Sequence, residues 1–280
     1  MFNSFLFNTG LFNGLATAIP EAATEDIQFN DFVLSNGNSM IIQTLKEDSG
    51  PRRAFDFTEV PRGHGNISYA DYFREKHITM RGTLRADSAE DLEDAIDEMK
   101  KELSVREGNL DIVKNGVVRR YVATLTNMDS IFQNREGYHI TFCPFFLDFT
   151  CLEPFGKSVN YESTAFLDET DLAFDEELFN EGTAPTQPVV IFNFSAASSL
   201  TEVSFLNNTT GEEIVYTGTI SAGDYLRFDS EEKEVTLNGT SVDYSGSFPS
   251  LAVEENSYTI TVTGTSATYT LTIKYKTKYL

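Results

Sequence analysis

The residues best suited to acid–base chemistry or metal binding are few in this sequence, and their spacing matches no familiar site. The three histidines are His64, His77 and His139. His77 and His139 fall on polar positions of predicted strands, which indicates side chains that face solvent or pack against neighbours. No His-x-x-x-His or Cys-x-x-Cys spacing occurs, so a zinc site has no local support. We therefore expect no enzymatic activity, no metal and no cofactor.

The two cysteines, Cys143 and Cys151, lie on one predicted strand. Eight residues of extended chain separate their Cα atoms by about 26 Å, whereas a disulfide requires about 7 Å or less. We expect both to be reduced core residues of a protein made in the cytoplasm.

Phosphate, calcium and glycoside chemistry find little support in the residues present. Gly63-His64-Gly65 resembles a phosphate loop, but it lacks the third glycine and no helix start follows it. The carboxylates of residues 168–177 could bind a divalent cation, yet the glycine-punctuated pattern of a calcium loop is absent. Glycoside cleavage requires a pair of carboxylates, and no pair stands out among the 43 acidic residues.

The charge of the protein limits its partners. It has 280 residues, with 21 basic and 43 acidic side chains, and a net charge of −22. Such a surface repels phosphate backbones and anionic membranes, so we expect neither sequence-specific nucleic-acid binding nor membrane insertion. The acidity favours solubility, and a second interpretation is an acidic channel past which DNA slides. The apolar run 5–18 lacks the basic residues of a signal peptide.

The N-terminal half is predicted to mix strands with one helix. Residues 77–85 alternate between polar and apolar side chains, with Ile78, Met80 and Leu84 on one face, which is typical of a half-buried strand. The period then changes to that of a helix capped by Asp87, with Glu90 reaching back to the cap. Its predicted apolar face comprises Leu92, Ala95, Ile96, Met99 and Leu103.

A long hairpin follows the helix. Residues 111–114 and 117–126 flank Asn115-Gly116, a pair that supplies the two positive-φ residues of a type I′ turn. Residues 138–149 predict another strand.

The C-terminal part is predicted to be all β. Segment 153–187 is acidic and contains Pro185 near its end, so we interpret it as a connection between domains. From residue 188 to 280 short strands alternate apolar with Thr-rich positions, and Asn238-Gly239 predicts a second type I′ hairpin. This pattern favours a β-sandwich. The predicted domains are 1–152 and 188–280, and the predicted class is mainly β, with an α+β first domain.

Several segments resemble distal tail proteins of siphophages. The opening run 5–14, Phe-Leu-Phe-Asn-Thr-Gly-Leu-Phe-Asn-Gly, is similar to the start of that family. Segments 207–211, 223–229 and 246–251 resemble its galectin-like C-terminal domain, as does the final stretch of the sequence. The order of strands, helix, hairpin and sandwich is also similar, so the resemblance covers essentially the whole protein.

The resemblance implies a structural virion protein at the distal tail tip, assembled in the host cytoplasm. It implies a homohexameric ring that joins the tail tube protein to a tail-associated lysin or fibre-bearing hub protein, and leaves a channel for DNA. The tape-measure protein is a further expected partner. Carried onto this sequence, the family's belt contact falls on the hairpin residues Ile112, Val113, Asn115, Gly116, Val117, Val118 and Tyr121.

A carbohydrate-binding adhesin module of the tail tip is the alternative function. It is suggested by the Tyr- and Thr-rich C-terminal strands, although the sequence has no Trp, the commonest residue of a sugar platform. The sandwich has no room for the arm that some relatives insert there to grip receptor-binding proteins.

Overall fold

The computed structural model describes residues 27–35, 39–47, 53–54, 57–59, 64–68, 72–130 and 141–280. The protein divides into two compact units, Met1–Pro154 and Phe155–Leu280. The opening family motif, the apolar run 5–18, Gly63 and His139 lie outside the described residues. No helix in the described part is long and apolar enough to cross a membrane.

The N-terminal unit is built around one antiparallel sheet. Its described strands follow the order β2-β1-β9-β10-β11-β8-β3, and two small pairs, β4 with β7 and β5 with β6, accompany it. The elements are β1 (Ile27–Phe29), β2 (Phe32–Val33), β3 (Met40–Glu47), β4 (Arg53–Ala54), β5 (Phe57–Glu59), β6 (Asn66–Ser68), β7 (Tyr72–Phe73), β8 (Lys76–Arg85), α1 (Ala89–Leu103), β9 (Gly108–Lys114), β10 (Val117–Ser130) and β11 (Phe142–Cys151).

The core of this unit lies between α1 and one face of the sheet. The predicted alternation is confirmed on β8, where Ile78, Met80 and Leu84 are buried. Both cysteines also point into this core from β11, and neither is joined in a disulfide, as predicted. The helix contributes Leu92, Ile96, Met99 and Leu103 to the same cluster, with Ala95 packed at its margin.

The start of α1 differs by one residue from the prediction. Ser88, not Asp87, is the N-cap, and its Oγ accepts a hydrogen bond from the Asp91 backbone N–H at 3.1 Å. Ser88 Oγ also donates to Asp91 Oδ2 at 2.6 Å, so Asp91 takes the position expected for Glu90. Both Asp and Ser make good caps, and each has an acidic residue three positions on, so residue type alone does not distinguish the two.

The C-terminal unit is a β-sandwich, as predicted. Its strands are β12 (Gly156–Ser158), β13 (Glu162–Glu169), β14 (Ala173–Asn180), β15 (Val189–Ser198), β16 (Leu200–Asn207), β17 (Glu212–Ile220), β18 (Tyr225–Asp229), β19 (Glu234–Leu237), β20 (Thr240–Ser241), β21 (Ser245–Gly246), β22 (Glu254–Thr263), β23 (Ser266–Tyr275) and β24 (Lys278–Tyr279). One sheet has the order β13-β23-β15-β18-β19-β20 and the other β14-β22-β16-β17-β21.

The inner faces of these two sheets share one apolar core. Phe205 and Tyr258 stack at 4.7 Å between ring centroids, and Phe192 and Tyr269 lie 5.8 Å apart. The turn at Asn238-Gly239 has φ of 53° and 78°, which confirms the predicted type I′ hairpin.

The segment interpreted as an acidic connection, 153–187, needs correction. β13 pairs with β23 along one sheet, and β14 pairs with β22 along the other. These two strands are therefore edges of the sandwich rather than a linker. In β14, Asp175 and Glu177 are exposed, Phe174 and Leu178 pack on the core, and Glu176 is half-buried between these two.

Candidate assembly surface

The hairpin of β9 and β10 has the predicted turn. Asn115 and Gly116 adopt φ of 52° and 78°, and Lys114 pairs with Val117 at the start of the ladder. Beyond the tip, β9 also pairs with β1, and the far half of β10 pairs with β11. The hairpin is thus anchored at its base within the sheet.

Two of the seven predicted contact residues point into the protein's own core. Ile112 and Tyr121 are buried with Leu110 on the inner face of the sheet. Their side chains cannot reach a neighbouring molecule in the folded unit. The predicted residues that remain candidates for a contact are those at the hairpin tip and on the outer face of the sheet.

The other five predicted residues lie where a partner could reach them. Val113 and Val118 are paired across the two strands and half-exposed on the outer face. Asn115, Gly116 and Val117 are exposed at the tip. A subunit contact through these five residues stays a prediction.

An ion pair stiffens the outer face between this tip and the base. Arg120 donates to both carboxylate oxygens of Asp111, from Nε at 2.7 Å and from Nη2 at 2.6 Å. These hydrogen bonds raise the pKa of Arg120, burial opposes the rise, and the charge of Asp111 adds to it. Such bidentate pairing fixes geometry as well as contributing energy.

The rest of the outer face is a polar network rather than a catalytic arrangement. Thr79 Oγ1 donates to Asp148 Oδ1 at 2.8 Å, and Thr150 Oγ1 lies 3.2 Å from His77 Nδ1. His77 is half-exposed here, as its strand position predicted, and His64 is exposed. A general base also needs a nucleophile or substrate group within reach. His77 Nδ1 instead contacts a threonine hydroxyl of the sheet, and its Nε2 lies 3.8 Å from Glu75 Oε1.

A charged cluster lies on the inner face of the N-terminal sheet. Glu47 Oε2 is 2.6 Å from Lys114 Nζ and 3.4 Å from Lys76 Nζ. Lys76 is 5% exposed and the Glu47 side chain 9%. Lys76 Nζ also donates to the Tyr121 hydroxyl at 3.2 Å. Glu47 Oε1 has no hydrogen-bond partner within the described residues.

This cluster shows that the sheet is strongly curled. β3, which carries Glu47, and β9, which carries Lys114, are separated by three strands. In a flat sheet that separation is about 19 Å, beyond the reach of a lysine and a glutamate. Inner-face residues of β3 and β9 therefore converge on one point.

Burial disfavours ionisation of two groups near this cluster, the Tyr121 hydroxyl and the Cys151 thiol. It raises the pKa of Tyr121 to about 12, and the charge of Glu47 adds to that effect. Burial likewise raises the pKa of the Cys151 thiol to about 12. Because the thiolate is the nucleophile, Cys151 is unsuited to covalent catalysis.

Sequence reasoning missed this cluster, although one signal was available. Lys76 has the same parity as Ile78 and Met80, so the alternation itself predicts that it points inward. Its partner Glu47 could not be found that way, since the contact depends on curling.

Across the described ranges, no group of three or more histidine, cysteine, aspartate or glutamate side chains is arranged to hold a metal ion. In the acidic segment 168–177, Asp175 Oδ1 accepts a hydrogen bond from Thr259 Oγ1 at 2.5 Å, across the β14–β22 pair. The Asp175 side chain serves the sheet at that point.

The sequence and the fold have counterparts among known proteins. Residues 181–279 match the family model described as siphovirus-type tail component, C-terminal domain. The crystal structure of SPP1 Dit (gp 19.1), described as a paradigm of hub adsorption apparatus in Gram-positive infecting phages, aligns with a TM-score of 0.70 at 14% identity. The alignment covers 91% of this chain and 99% of that chain.

Two further structures are more distant. A protein of the phage P2 baseplate in its activated conformation with Ca aligns with a TM-score of 0.40 at 9% identity, over 90% of each chain. A protein of the phage p2 baseplate with Sr gives 0.41 at 9% identity, over 86% of this chain and 91% of that one. Both TM-scores are well below that of the SPP1 Dit alignment. A search of curated proteins finds no match.

The family match of residues 181–279 is to a siphovirus-type tail component, and the structure match shows a β-rich fold like that of SPP1 Dit. Residues 181–279 match that family by sequence, and over 91% of the chain the fold is similar to that of SPP1 Dit. The resemblance to the distal tail protein (Dit) family is therefore confirmed.

Proposed function

We propose that this protein is a non-enzymatic hub of a phage tail tip. In this role it forms a hexameric ring that joins the tail tube protein to the tail-associated lysin or fibre-bearing protein of the adhesion apparatus. The tape-measure protein would end at the same ring. The protein would reside in the virion, at the distal end of the tail, after assembly in the host cytoplasm.

The observation that carries this proposal is the coincidence of two matches on one protein. The family match covers the sandwich alone, whereas the fold match to SPP1 Dit covers 91% of the chain. The fold match therefore extends to the N-terminal unit, to which the sequence resemblance assigns the ring, and this supports the proposal.

The N-terminal sheet supplies suitable contacts for self-assembly. The tip of the β9–β10 hairpin exposes Val117, and the outer-face pair Val113 and Val118 lies directly behind it. In the described residues β3 has β8 as its single strand partner. Strand edges and apolar tips are templates for a neighbouring molecule, and a closed ring satisfies each of them once per subunit.

The charge of the protein suits a conduit for DNA. With a net charge of −22 on each subunit, a ring of such subunits repels a phosphate backbone at every approach. Repulsion disfavours sticking during passage, which is the requirement for a channel rather than a binding site. The sequence-based expectation of no specific nucleic-acid binding is consistent with this role.

Assembly of the purified full-length protein tests the ring. Light scattering and negative-stain microscopy should show hexameric rings, at high concentration or with the tube or hub protein added. Val117→Glu should lower the hexamer fraction, because it places a charge at the proposed contact. Val253→Glu in the sandwich is the matched control, since these valines are 40% and 39% exposed. A wild-type protein that stays monomeric under every assembly condition contradicts the proposal.

A second candidate function, carbohydrate binding by the sandwich, is favoured by one feature. Tyr244 is 43% exposed and lies edge-on to Phe248, with ring centroids 4.9 Å apart. Lys233 Nζ lies 5.2 Å from the Phe248 ring centroid. An exposed tyrosine supported by a second ring is a surface on which a sugar can stack.

A glycan array with the full-length protein tests this alternative. Tyr244→Ala should abolish any binding, whereas Tyr161→Ala should not, although Tyr161 is similarly exposed at 47%. An empty array with the wild-type protein removes the alternative and leaves the hub as the function.

A further inference from the structure

Two Asn-Gly turns of nearly identical backbone shape occur in this protein. Asn115 and Gly116 have φ of 52° and 78°, and Asn238 and Gly239 have φ of 53° and 78°. Each turn joins two antiparallel strands with a two-residue loop. The two sites therefore offer the same local sequence and the same turn type, which makes each a control for the other.

The two asparagine side chains are held very differently. Asn238 Nδ2 donates to Asp224 Oδ1 at 2.8 Å, and Asn238 Oδ1 accepts from the Tyr225 backbone N–H at 2.9 Å. Both ends of that amide are thus fixed. Asn115 is exposed, and its side chain makes no hydrogen bond to any described residue. Its amide is free to rotate at the tip of the hairpin.

A free asparagine followed by glycine can react without an enzyme. The backbone nitrogen of Gly116 attacks Cγ of Asn115 and loses its proton, while the bond from Cγ to Nδ2 breaks and ammonia leaves. Water then opens the resulting succinimide at either carbonyl, which gives aspartate or isoaspartate. A glycine favours this attack because it lacks a Cβ, and the surroundings of Gly116 are open, with nothing within 4 Å of a Cβ placed there.

We propose that Asn115 is a site of spontaneous deamidation and that the clamped Asn238 is protected. The product carries a negative charge, and the isoaspartate form also adds an atom to the backbone of the tightest turn in the hairpin. Both changes disturb the pairing of Lys114 with Val117. We expect conversion of Asn115 to lower the ability of the subunit to join a ring. This consequence rests on the proposed hub function.

Peptide mapping by mass spectrometry measures the chemistry directly. The full-length protein is incubated in mildly alkaline buffer, and the conversion of each Asn-Gly peptide is followed with time. Asn115 should convert at least roughly tenfold faster than Asn238, because two hydrogen bonds must break before attack at Asn238. Equal rates, or faster conversion at Asn238, overturn the proposal.

Two variants separate side-chain clamping from other causes. Asp224→Ala removes one clamp, so Asn238 should convert faster while the rate at Asn115 stays unchanged. Gly116→Ala should slow conversion at Asn115, with circular dichroism as the check on folding. An Asn238 rate unaffected by Asp224→Ala contradicts the clamp.

The consequence for assembly has its own readout. Asn115→Asp reproduces the charge of one product and should lower the hexamer fraction in light scattering relative to wild type. Equal assembly of the two proteins overturns the effect on the ring. The rates can be compared on a monomer, so a failure of the hub function leaves the chemical comparison intact.

Discussion

Removing the carboxylate of Glu47 should destabilise the N-terminal unit severely. Glu47→Gln leaves Lys76, which is 5% exposed, without an anionic partner at 3.4 Å. Breaking a buried ion pair in this way typically costs about 3–5 kcal/mol, because the remaining charge stays desolvated. In a domain of this size each kcal/mol shifts the melting temperature by about 2–4 °C. The expected loss is therefore roughly 6–20 °C.

Calorimetry measures this loss, and hydrogen exchange of peptides from β8 assigns it to the N-terminal unit. Circular dichroism is the optical probe, since the protein has no Trp. The control is Glu231→Gln, which breaks the half-exposed Lys157–Glu231 pair of the sandwich, at 2.9 Å. A pair of that kind contributes about 1 kcal/mol or less.

A double variant distinguishes the ion pair from simple loss of packing. Glu47→Gln combined with Lys76→Met removes the stranded charge, so most of the lost stability should return. If Glu47→Gln and Glu231→Gln cost the same small amount, the inner-face cluster is solvated and the inferred curling of the sheet is wrong.

Three further outcomes follow from individual sites. Gly82→Ala should destabilise β8, by about 1–3 kcal/mol in chemical denaturation, because its Cβ would lie 2.4 Å from Phe145 Cζ; an unchanged midpoint would contradict the packing. Burial would raise the pKa of Glu212, but hydrogen bonds from Ser250 and Thr210 together lower it. Its contribution is therefore complete above about pH 4.3 and lost as pH falls through the lowered pKa, so in pH-dependent melting the deficit of Glu212→Gln should shrink in acid. Cys143 and Cys151 should resist alkylation until denaturant unfolds the protein, and rapid labelling of native protein would refute their burial.

Strongly periodic segments were predictable from the sequence. The apolar stripe of α1 and the alternation of β8 depend on side chains that all face one core, so a single period describes them. Both Asn-Gly turns were also predictable, since few dipeptides tolerate two positive φ angles.

The sequence also indicates which hairpin residues face the core, and this excludes some residues of the predicted interface. A two-residue turn at 115–116 fixes the register, so Tyr121 must pair with Leu110 and share its face. The position of Tyr121 in the core therefore follows from the sequence alone. What it cannot give is the partner of Lys76, because the contact with Glu47 depends on curling of the sheet.

The interpretation of segment 153–187 as a connection was wrong because its many charged residues obscure the alternation of its strands. In β14, Phe174 and Leu178 lie on the buried face and Asp175 and Glu177 on the exposed face, but Glu176 stands at the buried-side position between the two apolar residues. An edge strand has a solvated face and one unpaired side, so polar residues outnumber apolar ones. Composition alone then resembles a linker.

The same edge residues indicate which unit is suited to assembly. The long edge strands of the sandwich carry devices that discourage pairing with another molecule: β14 has the charged run 175–177, and β13 has an irregularity between Phe166 and Glu169. Its other edges, β20 and β21, are two residues long. Charges, bulges and short strands are the usual protection of an edge. Strand β3 also has an irregularity, between Ile42 and Thr44, but it is eight residues long, and its charges, Lys46 and Glu47, stand at one end. The sandwich edges are thus built to stay unpaired, so a ring held together by strands should draw on the N-terminal sheet.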